Sequence, residues 1–188
     1  MESFNYLSVL ISIILGLAIA QVLQGVRGLV LTRSKVKLYT PTIIWTGMAL
    51  LIAIQGWWAS FSMHQQASWN FLGLLTIALQ ATSVYMIAAL ILPDAKGDNT
   101  VDLREHYFAH RHWFFGAVLS SVVFSLLKEL VLYDRLPHPL NLSFQLSFGV
   151  IAITAMLVRR EWLHKLLAPV LAVLFLLYIT LIFRNLHQ

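Results

Sequence analysis

Long apolar stretches alternate with short polar loops along the whole of this chain, a pattern that predicts six membrane-spanning helices. They run from about Phe4 to Val26, Thr42 to Ser62, Ser68 to Leu92, Trp113 to Leu132, Leu140 to Leu157 and Leu166 to Phe183. Each is close to the ~20 residues needed to cross a hydrocarbon core of about 30 Å. The expected fold is an all-α, polytopic membrane bundle of six transmembrane helices. The longest connection, 93–112, opens with the turn-rich run Pro93-Asp94-Ala95-Lys96-Gly97-Asp98-Asn99. Asp102-Leu103-Arg104-Glu105 then reads as a capping-box variant. The helix it starts is expected to lie at the cytoplasmic interface, then turn into the fourth span or continue as it.

Composition agrees. Of 188 residues 59% are hydrophobic and 11% charged, and mean hydropathy is +0.77. A soluble domain carries roughly a quarter charged residues. The length accommodates a single membrane domain over 1–188 and no separate soluble one. Without cysteine there is no disulfide framework, thiolate metal site or thiol nucleophile.

Charge adds orientation. Arg33, Lys35 and Lys37, then Lys96, Arg104 and Arg111, then Arg159, Arg160 and Lys165 occupy alternate loops, and Arg27 ends the first span on the same side. The other side has only Arg135 and Arg184. Lysine and arginine accumulate on the cytoplasmic side. The expectation is an integral protein of a bacterial inner membrane with both termini periplasmic. Its basic loops would meet anionic headgroups; although the sequence pI is about 9.7, nucleic acid is not an expected partner. Ala18-Ile19-Ala20 imitates a signal-peptidase site, but the acidic start and the arginines that follow argue against cleavage. Trp45, Trp57, Trp58, Trp69, Trp113 and Trp162, with Tyr6, Tyr39, Tyr107 and Tyr133, lie near span ends, where amphipathic rings favour the headgroup layer.

Four features can carry function, three of them within the spans. Ser8, Ser12, Gly16 and Ala20 form a small-residue stripe at four-residue spacing, fit for close packing within the bundle or between subunits of a homo-oligomer. Gln55, Gln80 and Gln145 are amides at membrane depth that should face other helices or a polar cavity, because lipid offers them no partners. Gln80 shares a face of the third span with Gly73, Thr76 and Ser83. Lys128 and Glu129 lie about 7 to 9 Å inside the boundary marked by Asp134, at ~1.5 Å per residue. Charges at such depth usually face the interior or water. Lys128 continues the face of Ala117, Ser121 and Ser125, and Glu129, which is less able to snorkel, is expected to find a partner or border a wet cavity.

The fourth feature is a histidine group: His106 and His110 one turn apart, with His112 and His164. One turn brings two imidazoles to one cation, but a stable zinc site takes at least three ligands. No metal and no cofactor is expected. Phosphate-binding glycine loops and nucleophile elbows are absent. The leading expectation is a non-enzymatic transporter- or channel-like protein using Lys128, Glu129, Gln55, Gln80 and Gln145. The alternatives are an oligomeric anchor or signalling subunit, and a metal-dependent membrane enzyme built on the histidines.

Overall fold

A computed structural model describes residues 3–61, 63, 70–94 and 100–182, the side chains of 3–6 excepted. The expectations for Trp69, Lys96 and Arg184, and for the Tyr6 ring, lie outside what is described, as do the span limits at Ser62, Ser68 and Phe183.

Six helices carry the chain: α1 Ser3–Leu31, α2 Thr40–Ser60, α3 Phe71–Ile91, α4 Leu103–Tyr133, α5 Pro139–Leu157 and α6 Glu161–Ile182. All six are long and apolar enough to cross a membrane. The all-α six-helix bundle is thus as the hydropathy pattern predicts. Neighbouring helices touch in the order α1, α3, α4, α5, α6, α2 and back to α1, and α2 also meets α3. The result is a closed ring with an interior bounded mainly by α2 to α6.

Local signals set the helix ends. Asn70 accepts from the Gly73 N–H at 2.7 Å to cap α3. Asp102 accepts from the Arg104 and Glu105 N–H groups at 3.0 and 3.1 Å, the cap expected from its sequence. Prolines stand in the first turns of α2 and α5, where no N–H is missed. Asp134 adopts a left-handed conformation (φ 49°) and closes α4 through its N–H to the Leu130 carbonyl.

The helix started at Asp102 continues without a break as the fourth span. Its 31 residues reach roughly 46 Å, longer than the hydrocarbon core. Just before it, β2 (Val101–Asp102) pairs in parallel with β1 (Val36–Lys37), and Lys37 meets Asp102 at 3.7 Å. This clasp joins the first and third loops at what is here termed the basic end of the bundle.

Two expectations change. Within the small stripe of α1, Ser8 and Ala20 are half-buried while Ser12 and Gly16 face outward, and among the described residues no other helix lies within 4 Å of a Cβ built at Gly16. Leu7, Ile11, Leu15, Ala18 and Val22 face inward instead. Bulky side chains fill the groove between α2 and α3, and Ser12 accepts from the Trp57 indole N–H at 3.3 Å. Close approach of α1 occurs elsewhere, at Gly25, where an added Cβ would lie 3.1 Å from the Leu92 Cβ.

The second change concerns aromatics. Trp57, Trp58, Trp113 and Trp162 are exposed on the helix surface. Trp45 is not: it is 2% exposed and packs edge-on against Phe114 and Phe115. Tyr39 and Tyr107 are buried too, with ring centroids 5.4 Å apart. Five residues from the start of α2, Trp45 lies on the inward face, and helix face outweighs distance from the span end.

Candidate functional site

Two cavities lie one above the other inside the ring. The one nearer the basic end, about 100 Å³, is lined by Trp45, Met48, Val118, Phe148 and Phe175 among others, with Ser121 and Gln145 as polar members. The other, about 80 Å³, lies towards the far end and is lined by Ile11, Leu15, Ser60, Ile77 and Lys128 among others. Gln55, Gln80, Ser125 and Tyr178 line both. These four, from α2, α3, α4 and α6, form a polar collar where the cavities meet.

Helical periodicity explains the convergence. Ser121, Ser125 and Lys128 recur at intervals of four and three along α4, so one face carries all three. Leu171, Phe175 and Tyr178 do the same along α6. Three amides separated widely in sequence are thus brought around one interior space, and Lys128 joins Gln55 and Gln80 at the far cavity. Glu129 does not: it points about 100° away from Lys128 around the helix and lines neither cavity. Tyr178 belongs to the collar and was not singled out from the sequence. Its signal was a phenol on the helical face of Leu171 and Phe175, five residues inside the predicted end of the sixth span.

The state of these polar groups is distinctive. Among the described residues, Gln55, Gln80, Ser125 and Lys128 make no hydrogen bond or ion pair within the protein. Gln145 donates to the Asn141 side chain at 3.0 Å, while its Oε1 is buried without a partner. Buried amides and ammonium groups are costly in an apolar medium unless solvated or paired. A cavity with polar walls and room for several waters meets that need.

The histidines behave otherwise. His164 is fully buried; its Nε2–H donates to the Val158 carbonyl at 2.8 Å, and its Nδ1 accepts from the Tyr107 hydroxyl at 3.0 Å. Both ring nitrogens are therefore engaged, Nδ1 in tying α6 to α4 and Nε2 in tying it to the end of α5. His106 donates through Nε2 to the Leu90 carbonyl at 3.1 Å, tying α4 to α3. His110 donates through Nδ1 to the His106 carbonyl at 3.0 Å, and the two rings lie 4.4 Å apart. His112 is exposed. The four do not converge, and among the described residues no three His, Cys, Asp or Glu side chains are grouped closely enough to hold a metal ion.

Around them the basic end is crosslinked by charge. Glu161 meets Arg104 at 2.8 Å and Lys165 at 2.8 Å. The Asp102 carboxyl is held below the usual carboxylate range by the Glu105 N–H, the Arg104 N–H and the charges of Lys37 and Arg104. Burial, with the Glu161 carboxylate adding to it, pushes the Tyr39 phenol up to about 12. A groove there is lined by Asp102, Arg104, Glu105, Phe108, Ala109 and Arg159, charges of both signs.

Six apolar helices in a closed ring make this a multi-pass integral membrane protein. Compared with protein-family profiles, curated proteins and solved structures, the chain has no significant match.

Proposed function

We propose that this single-domain bundle is a small, non-enzymatic membrane protein of transporter or channel type, with its polar site inside the ring. The observation that carries this reading is the collar of Gln55, Gln80, Ser125 and Tyr178 between two cavities placed in tandem across the bundle. A structural core at this depth would pair its amides across helices. Amide and hydroxyl groups left open at Gln55, Gln80 and Ser125, between adjoining cavities, are what a passing solute or ion requires. Lys128 and Gln145 flank the collar on opposite sides, and Glu129 lines neither cavity.

In this reading the basic end is cytoplasmic, in a bacterial inner membrane, with its arginines near anionic headgroups and both chain termini periplasmic. Reconstituted vesicles test the function. Parent protein should raise permeability to small solutes or ions above protein-free vesicles, and Gln80→Leu should abolish the increase. Equal permeability with and without protein contradicts the reading. The orientation has its own check: a cysteine placed at Leu136 should react with an impermeant thiol reagent in intact cells, and one at Lys35 should not.

One observation favours a second reading, an oligomeric membrane subunit without solute chemistry. Ser12 and Gly16 present a small-residue face to the outside of the bundle, where a second copy can approach closely. Under that reading Gly16→Leu shifts the protein from oligomer to monomer in detergent or nanodiscs. An unchanged oligomeric state removes it.

A further inference from the structure

The far cavity carries one formal charge on its wall. Its polar lining consists of Gln55, Ser60, Gln80, Ser125, Lys128 and Tyr178, and no aspartate or glutamate lines it. Lys128 has no carboxylate within ion-pair distance among the described residues. Glu129 is next in sequence but faces another direction, so it leaves the ammonium's cavity side open. An ammonium withdrawn from bulk water among apolar walls attracts a counter-charge.

The groups around it are suited to the same task. Gln55 and Gln80 each offer amide N–H donors, and Ser125 a hydroxyl donor, with no intramolecular acceptor among the described residues. A cation entering this space would meet a like charge. An anion would meet one full positive charge and several donors from three helices. Size narrows the class. The cavity is about 80 Å³, well under the ~300–1000 Å³ of sites for drug-sized ligands. One cation also matches one negative charge better than two.

We propose that the cavity beside Lys128 binds a small monovalent anion, of the size of chloride, nitrate or formate. Lys128 supplies the charge, and Gln55, Gln80 and Ser125 supply directed hydrogen bonds. This deepens the transport reading by naming its solute class, and rests on it for passage though not for binding.

The test uses full-length protein in detergent and the same preparation in vesicles. Sodium nitrate is titrated at constant ionic strength against sodium gluconate, which is too large for the cavity, with binding read by calorimetry and by thermal midpoint. The parent should bind nitrate saturably and gain thermal stability, with no gain from sodium sulfate. Lys128→Met should weaken binding by about tenfold or more, the scale of losing one charged hydrogen bond, and Lys128→Arg should recover most of it. If Lys128→Met does not fold, the parent's response to nitrate against gluconate and sulfate decides alone, with Gln80→Leu as the weaker-binding variant. Absence of saturable binding of nitrate, chloride and formate by the parent overturns the proposal, as does equal binding by a folded Lys128→Met. Should either occur while vesicles show Gln80-dependent flux of another solute, the transport reading stands without the anion. Lys128-dependent nitrate binding with no flux upholds the anion site and removes the transport reading.

Discussion

The two ends of the bundle treat polar groups in opposite ways. At the basic end they are largely tied to one another. Asp102 caps α4 and meets Lys37, Glu161 joins Arg104 to Lys165, and His164 uses both ring nitrogens between Val158 and Tyr107. The Tyr39 hydroxyl and Arg111 Nε are buried exceptions. From the middle of the bundle to the far end, the side chains of Gln55, Gln80, Ser125 and Lys128 are left without protein partners and face cavities. The contrast separates structure from function. A polar side chain saturated by neighbours stabilises one arrangement, whereas one that is left open in an apolar interior is held there by something the protein does not itself supply.

The sharpest way to break this contrast is at His164. His164→Leu removes a fully buried ring and strands the Val158 carbonyl and Tyr107 hydroxyl, so unfolding in detergent should become easier by about 3 kcal/mol. Tyr107→Phe, which deletes one hydroxyl, should cost about 1 kcal/mol. A His164→Leu protein as stable as the parent would mean that these bonds do not hold α6 to α4 and to the end of α5.

Close packing of α1 gives the next largest effect. Gly25→Leu drives a side chain into Leu92, which cannot retreat at its Cβ, and should destabilise the fold by roughly 1–3 kcal/mol. Gly16→Leu meets nothing inside the protein and should leave monomer stability unchanged. Equal loss at both positions would put the outward stripe back inside the bundle.

Asp102 gives a smaller effect with a defined sign. Its pKa is depressed in the folded state, so the stability it contributes is fully present above the ordinary carboxylate value, about 4. That contribution is lost as pH falls through the lower folded value. Asp102→Asn retains a good cap without the charge and should flatten the parent's loss of stability below about pH 4. Asp102→Ala should cost about 1 kcal/mol at neutral pH through the lost cap. A parent and an Asp102→Asn variant with superimposable acid profiles would remove the carboxylate from this account.

The smallest stability effect belongs to the collar. Gln55→Leu and Gln80→Leu lose no protein hydrogen bond, so denaturation should shift by less than about 1 kcal/mol or turn favourable. Losses of 2 kcal/mol or more would reveal partners that tie these amides into the fold.

Much of this architecture was legible from hydropathy and capping. Six spans follow from hydropathy, the Asp102 cap from its own signal, and the shared face of Lys128, Ser121 and Ser125 from periodicity within one helix. Facts that depend on which helices are neighbours did not follow. The outward turn of Ser12 and Gly16 depends on α1 meeting α2 and α3 through its bulky face. His164 and Tyr107 are 57 residues apart, and their bond exists only once α4 and α6 are placed. Two-residue strands such as β1 and β2 carry no readable pattern. The amides stood out as misfits in apolar spans, but their meeting at one collar is a property of the ring.

The most direct test of the contrast compares two single cysteines in this cysteine-free chain. Ser125→Cys lies on the collar, and Ala168→Cys lies at a fully buried position of α6 that lines neither cavity. Both are treated with a small charged thiosulfonate, and the rate of modification is followed by mass. The account predicts rapid reaction at Ser125→Cys and none at Ala168→Cys over the same period. Silence at both positions, or equal rates at both, would contradict a water-accessible polar interior.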